Sequence, residues 1–382
     1  MEKTLTKKRF GEFEIAKALA IMGLPFVHFM EEAAWEMGYL TEAAESFAEP
    51  IVFLSIFGPA IFMICMGFGM SGSYSWKRLL KSGIQFLIIG YGLNFIIFSV
   101  PDTIALIRCL EDADLPTIFH DLLACDIYVF VGWFYVFYAL MKKWKASDFT
   151  IFAVTVLLLI VNCFTGYYVY ADTTVLNTFF GNFVSLNEFS YFPLAGWAMF
   201  PMIGIAIGNF LKKQNPVKYH ENMKRIFVSC ILALSLVVLG MFLYEINPVE
   251  VLQAYTDEYL MDVFIAMLLI LISGIVISGL HLIYHAVRSN ALERFLLKIS
   301  SVIMSFYIIQ WLLVAFLNYY IFWQLELDEA IFGVAASWGM MLGIFAITLF
   351  ITYKWGFAFM RFVIKKTDYT RWFKKKKKVA KK

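Results

Sequence analysis

The sequence predicts an all-α integral membrane protein, a bundle of about ten transmembrane helices. Hydrophobic residues make up 61% of the 382 residues, charged residues only 16%, and the mean hydropathy is +0.73. A soluble domain of this size carries more charge. Apolar runs of about 20 residues, long enough for a helix to cross the hydrocarbon layer, recur along the chain. These three observations exclude a soluble globular enzyme, and nothing in the pattern suggests a nucleic-acid partner.

Ten apolar runs define the predicted spans. They lie near residues 13–30, 51–71, 83–100, 122–141, 149–170, 191–211, 226–246, 260–287, 299–322 and 330–360. The first run continues into glutamates rather than a small-residue cleavage site, so we expect it to remain as the first helix. Residues 1–363 are predicted to form one membrane domain. Residues 364–382 are predicted to be a basic, disordered cytoplasmic tail held near anionic lipid.

The basic residues predict the orientation. If both termini are cytoplasmic, 30 of the 32 Lys and Arg residues fall in cytoplasmic segments, which leaves Lys17 within a helix and Arg108 outside. This distribution obeys the positive-inside rule, so we expect a multi-pass cell-membrane protein with both termini in the cytoplasm. The acidic residues collect in the outer segments. Their negative charge weakly favours neutral or cationic ligands on that side, although ordinary solvated loops explain the acidic residues equally well.

The first span carries the main candidate site, because Glu14, Lys17 and His28 interrupt an otherwise apolar segment. An ionisable residue within a membrane helix is a functional hypothesis by default. At about 100° per residue, Lys17 and His28 return to nearly the same face and stand ~16 Å apart along the helix. Pro25 removes a backbone hydrogen bond below His28 and predicts a kink. The alternative is that Glu14 and Lys17 only reach the headgroups and His28 packs without a role.

A general base removes a proton from an attacking hydroxyl or amine, and imidazole titrates nearest the working pH. His28 is placed for that role, and Glu31 or Glu32, three and four residues on, could orient it. His120 is a reserve candidate, since it lies in the longest predicted outer loop beside Asp121. A histidine in such a loop is more often simply solvated.

Two cations follow the second span directly, Lys77 and Arg78. At the cytoplasmic mouth of a bundle they could hold a phosphorylated ligand, or they could only set topology. His281 and His285 share a helix face, but HLIYH lacks the glutamate of a zinc motif and a third ligand, so no metal is expected.

Other features favour packing. Gly67 and Gly69 in the second span, and Gly204 and Gly208 in the sixth, are typical of closely packed membrane helices. Gln310 and Asn318 are buried amides of the ninth span, interpreted as helix contacts first and site residues second. Cys109 and Cys125 both fall in the long outer loop, and whether they form a disulfide is left open.

Four stretches carry a family resemblance. The first is the spacing of a basic residue, ten residues and a histidine, given by Lys17 and His28. The others are GPAIFMICMGFGMS, DIYVFVGWFYVFYAL beginning at Asp126, and YFPLAGWAMFPMIGIAIG. In this order they resemble the superfamily of transmembrane acyltransferases, the acyltransferase-3-like proteins. The closest pattern is the branch related to heparan-α-glucosaminide N-acetyltransferase and its bacterial relatives, although that family more often has arginine where Lys17 stands.

The resemblance implies ten or eleven helices that take an acyl group, usually acetyl, from cytosolic acyl-coenzyme A. The group passes to a hydroxyl or amine of an extracytoplasmic sugar or cell-envelope glycan. His28 would be the general base or transient acyl carrier, with Glu31 beside it. The coenzyme-binding residues implied are Lys17, Lys77, Arg78 and Glu14. Asp126 and Trp197, from two of the matching stretches, would contact the acceptor.

Two other classes of protein remain open. A secondary transporter of a small polar solute would also use the charged stripe of the first helix. A scaffold or sensor without catalysis would not depend on His28. The partners expected beyond coenzyme A and the glycan are the lipid bilayer and, for a homodimer, a second copy of the chain.

Overall fold

A computed structural model of the chain describes residues 10–36, 38–46, 50, 57–72, 74–109, 115–168, 174–186, 190–247, 261–284, 291–326 and 331–368. Within these ranges the fold is entirely helical, and one isolated bridge pairs Leu40 with Phe332. The predicted all-α class is confirmed.

The helices follow one another along the chain. The first group is α1 Gly11–Met22, α2 Leu24–Met30, α3 Phe57–Met70, α4 Trp76–Asn94, α5 Val100–Ile107, α6 Leu115–Leu123, α7 Ile127–Lys143 and α8 Asp148–Tyr168. The second group is α9 Val175–Gly181, α10 Leu194–Trp197, α11 Met199–Leu211, α12 Pro216–Leu243, α13 Val263–Tyr284, α14 Leu292–Ser301, α15 Ile303–Leu317 and α16 Val334–Thr367. Wider π-helical turns continue three of them, at Glu31–Glu36, Phe95–Ser99 and Asn318–Phe322.

Eight helical segments of the described part are long and apolar enough to cross a membrane. A ninth is added if α6 and α7, which meet at 53°, form one broken span. The predicted span 51–71 overlaps α3, which has only 14 residues, and residues 51–56 lie outside the described part. A multi-pass helical membrane protein is therefore confirmed, while the count of ten and the orientation stay predictions.

The C-terminal helix is longer than predicted. α16 continues through Thr367, past the predicted domain boundary at 363, and Asp368 forms an ion pair with Lys81 at 3.0 Å. The remaining residues, 369–382, lie outside the described part, so the predicted tail is not tested.

Helix α1 lies at the centre of the bundle. It packs against α3, α13 and α14, and the following α2 packs against α15. Its buried face consists largely of small or apolar side chains, such as Ala16 and Ala18, which let neighbouring helices approach. The break predicted at Pro25 occurs two residues earlier, at Gly23, because proline takes the first turn of α2, where its missing N–H costs no hydrogen bond.

Helices α3 and α11 touch through their backbones. A Cβ atom added at Gly67 would overlap the Pro201 carbonyl, and one at Gly204 would overlap the Ile64 carbonyl. Gly208 is equally tight against Ser71, which confirms the packing prediction for these three glycines. Gly69 differs, since a Cβ atom there would meet nothing within 4 Å.

Candidate functional site

His28 lies inside the bundle, on the face of α2 that meets α15. It is 8% exposed, and its Nδ1 is 2.7 Å from Gln310 Nε2. Its ring stacks on the Trp311 indole at a centroid distance of 4.0 Å and meets the edge of Tyr307 at 5.9 Å. The histidine is therefore enclosed by three side chains of one helix.

This contact couples the tautomer of the ring to the orientation of the Gln310 amide. An amide nitrogen can only donate, so Gln310 Nε2 donates to Nδ1 and the His28 proton resides on Nε2. Turning the amide over would let Gln310 Oε1 accept from a protonated Nδ1 and would free the Nε2 lone pair. The His28–Gln310 pair thus has two arrangements, and a base needs the second.

The predicted orienting carboxylates lie elsewhere. Glu32 is buried and accepts a hydrogen bond from the Tyr319 hydroxyl, and Glu31 stands beside it in the π-helical turn. The partner at Nδ1 of His28 is Gln310, which the sequence assigned to packing. The helix widens into a π-helical turn directly after Met30, where both carboxylates lie, and the orienting role of Glu31 stays a prediction.

A cavity of about 350 Å³ opens at the other end of α1. Glu14, Lys17 and Arg78 line it, together with Tyr74 and Tyr135. Lys17 Nζ lies 3.0 Å from Glu14 Oε2, and the same carboxylate accepts from the Ser300 hydroxyl. One wall of the cavity thus carries a compensated ion pair.

The cations at this mouth differ in their environments. The Arg78 guanidinium lies 5.4 Å from the Tyr74 ring and lines the cavity. Lys77 points towards Trp76, with Nζ 5.7 Å from the ring centroid, and does not line the cavity. The structure therefore separates the two neighbours that the sequence treated as a pair.

The cavity ends at Tyr128 and Met304, short of His28. The Tyr128 hydroxyl donates to the Met304 carbonyl at 3.0 Å, and its ring meets Tyr307 at 4.8 Å. The Tyr307 hydroxyl in turn donates to Asp126 Oδ1. Two tyrosine rings thus separate the basic cavity from the buried histidine, so the predicted polar stripe is not an open channel.

Asp126 caps the start of α7, where its carboxylate accepts from the Ile127 N–H and the Tyr307 hydroxyl. Trp197, the other predicted acceptor residue, is completely buried between Phe192 and Phe200. Asp126 therefore lies within contact distance of the site, whereas Trp197 has the surroundings of a core residue.

The structure corrects the picture of His120. It lies in α6 and is only 6% exposed, with Nδ1 2.7 Å from Thr178 Oγ1, so it is not a solvated loop histidine. Cys109 is exposed and Cys125 buried, and both thiols are free.

A second group of ionisable side chains joins α1, α12 and α13. Glu12 accepts from the Tyr219 hydroxyl, and its Oε1 lies 3.3 Å from His281 Nδ1. His281 Nε2 lies 3.0 Å from His220 Nδ1. The sequence analysis considered His281 together with His285, which is outside the described residues. The contacts that His281 makes are instead with Glu12 and His220, on helices distant in sequence.

Fold and site together define a polytopic helical membrane protein with a buried histidine behind a basic, tyrosine-lined cavity. Comparison of the chain with known proteins found no matching protein-family model, no matching curated protein and no matching solved structure. The acyltransferase hypothesis therefore depends on its own residues and their geometry.

Proposed function

We propose that this chain is a membrane-bound acyltransferase that moves an acyl group, acetyl first of all, from cytosolic acyl-coenzyme A to a hydroxyl or amine of an extracytoplasmic sugar. The proposal includes ten spans with both termini in the cytoplasm. One observation carries it: a cavity lined by Lys17 and Arg78 ends at Tyr128, and the Tyr307 ring, in contact with Tyr128, lies against the buried His28. A phosphate-bearing donor and a buried base would require this order of groups.

The donor would enter from the Arg78 end. A cavity of 350 Å³ is at the lower end for ligand pockets, so it suits the acyl-pantetheine arm, with the nucleotide phosphates outside beside Arg78. Guanidinium groups bind phosphate through paired, charge-assisted hydrogen bonds. Lys17 is already paired with Glu14, so Arg78 would contribute more to donor affinity.

His28 would handle the proton. The acceptor oxygen attacks the thioester carbonyl, the carbon–sulfur bond breaks, and the proton passes through His28 to the leaving sulfur. With Gln310 in its turned arrangement, the free Nε2 can accept that proton. Tyr307 has to move aside, because its ring stands between the cavity and His28.

The test uses the purified chain in lipid nanodiscs with acetyl-coenzyme A labelled in the acetyl group. Release of free thiol above the rate of empty nanodiscs, with the labelled acetyl group passed to His28 or to water, is the expected result, and it should be lost in His28→Ala. A wild-type rate equal to the background would refute the proposal.

A secondary transporter is the second candidate, favoured by the chain Glu12, His281 and His220. Buried carboxylate and histidine chains are typical of proton-coupled membrane transport. In liposomes with a pH-sensitive dye inside, a transporter would carry protons across the membrane and Glu12→Gln would stop the flux. Proton flux without thiol release would favour this candidate.

A further inference from the structure

Six side chains, His28 among them, are linked by hydrogen bonds and ring contacts in one region of the bundle. They come from α2, α4 and its π-helical continuation, the start of α7, and α15. The cluster consists of His28, Asn94, Phe98, Asp126, Tyr307 and Trp311. We refer to it as the six-residue cluster.

One half of the cluster is polar. Tyr307 meets His28 at 5.9 Å and donates to Asp126 Oδ1. Asn94 Nδ2 and the Asp126 backbone N–H both donate to the Ala124 carbonyl, at 3.0 and 3.1 Å. Asn94 and Asp126 are therefore immediate neighbours, although they belong to different helices.

The other half is aromatic. Trp311 stacks on His28 at 4.0 Å and meets Phe98 edge-on at 5.7 Å. Phe98 lies one helical turn after Asn94 and so returns to its side of the helix. Aromatic rings and polar groups therefore occur together in the cluster.

Two buried oxygens of the cluster face no donor within the described part of the protein, Asn94 Oδ1 and Asp126 Oδ2. The orientation of the Asn94 amide follows from its partners. Two carbonyls, of Leu122 and Ala124, accept from one of its atoms, so that atom is Nδ2 and the unmatched atom is the oxygen. Leaving a buried polar group unmatched costs about 1–3 kcal/mol, so each needs an explanation.

The unmatched atoms of the cluster are these two acceptors and one donor, the Trp311 indole N–H, and a hydroxyl group can serve both kinds because it donates and accepts. No Lys or Arg of the described residues bonds to Asn94 or Asp126, and the contacts of His28 are to Gln310, Tyr307 and Trp311. An anionic ring would bring charge next to the Asp126 carboxylate without a compensating cation. A hydroxylated ring supplies O–H donors to the oxygens and apolar C–H faces to the aromatic side chains.

We propose that the six-residue cluster is the acceptor subsite and that it takes a neutral, polyhydroxylated ring, with Asn94 and Asp126 accepting hydrogen bonds from its hydroxyls. This proposal rests on the acyltransferase function and narrows it, because it excludes sugars bearing carboxylate or phosphate. Asn318 is a further buried amide whose two polar atoms have no partner in the described structure, and the next residue, Tyr319, packs on Phe98.

The test measures thiol release from acetyl-coenzyme A by the full chain in nanodiscs, with and without a probe sugar. The neutral probes are methyl β-glucoside and methyl β-N-acetylglucosaminide, and the anionic probes are methyl β-glucuronide and glucose 6-phosphate. The neutral probes should raise the rate at least fivefold over the probe-free rate, and the anionic probes should not.

The decisive variant is Asp126→Asn. The Ile127 N–H and the Tyr307 hydroxyl hold an oxygen at the Oδ1 position, so the new amide nitrogen replaces Oδ2 and turns an acceptor into a donor. Stimulation by the neutral probes should fall to about the probe-free rate. Asp148→Asn is the control. The Asp148 carboxylate also accepts from a tyrosine, Tyr138, but lies beyond the far end of α7. Neutral probes should stimulate this variant as much as the wild type.

The outcomes are distinguishable. If the wild type releases no thiol with or without a probe, the acyltransferase function fails, and the subsite with it. If thiol is released but an anionic probe stimulates as well as a neutral one, or Asp126→Asn keeps the full stimulation, the subsite proposal is overturned while the function stands. The comparison of neutral and anionic probes uses the wild type alone, so it holds even if the variant folds poorly.

Discussion

His28 on α2 and Gln310 on α15 share a hydrogen bond of 2.7 Å although they are 282 positions apart in the chain. The first and ninth predicted spans are thus joined at the candidate base. Any model of catalysis must include the amide, since its orientation determines which ring nitrogen is free.

His28→Ala should lower turnover about 10²- to 10⁴-fold, the usual contribution of a positioned base, while donor binding is retained. Thiol release and equilibrium binding of coenzyme A in nanodiscs measure the two quantities. His120→Ala is the control, because His120 bonds to Thr178 away from the cluster. Equal turnover in His28→Ala and wild type, with a loss in His120→Ala, would move the chemistry to α6.

Arg78→Gln should raise the dissociation constant of coenzyme A about tenfold, since a hydrogen bond to a charged group contributes ~1.5–3 kcal/mol. Lys77→Gln is a matched control with the same change of charge one position away. It should have little effect, because Lys77 lies over Trp76 outside the cavity. If the two variants lose affinity equally, the cations act only through overall charge.

Gly67→Ala should destabilise the fold by about 1–3 kcal/mol or more, because its methyl group would overlap the Pro201 carbonyl and backbone cannot yield as a side chain does. Gly343→Ala adds the same methyl group in α16, where nothing lies within 4 Å, and should leave the melting temperature unchanged or raised. Thermal unfolding of the purified variants compares them. A normal melting temperature for Gly67→Ala would contradict the backbone contact.

Cys109 is exposed and free, and the predicted orientation places it outside the cell. A membrane-impermeant maleimide added to whole cells should therefore label it. Lys213 is also exposed and lies on the predicted cytoplasmic side. The double variant Cys109→Ser, Lys213→Cys should therefore react only after the cells are opened. The opposite pattern would reverse the orientation of every span.

The sequence was sufficient for the fold class and for the helix packing at Gly67, Gly204 and Gly208. Hydropathy and small residues act locally, and each of these features can be read within one span. Lys17 and Glu14 could also be selected within one span, because they are charged residues of an apolar segment, and both line the cavity.

The contacts that complete the site could not be predicted in this way. The His28 region is completed by side chains from helices far along the chain, namely Gln310, Tyr307 and Asn94. Nothing in the surrounding sequence distinguishes a polar side chain of a site from one that only packs. Their only signal was polarity within an apolar span. Lys77 and Arg78 look equivalent in the sequence and are separated only by the direction that a helix gives to neighbouring side chains.

The backbone contact between α3 and α11 also constrains how the protein is made. Membrane helices enter the bilayer one after another, so α3 is inserted long before the partner that fits against Gly67 exists. Until α11 arrives, the carbonyl-lined groove of α3 faces lipid or a temporary neighbour, and the wall of the cavity near Cys65 and Met66 is unfinished. The interior of the bundle is therefore completed late in biogenesis, and an early arrest of synthesis should leave a chain that is inserted but has no complete cavity.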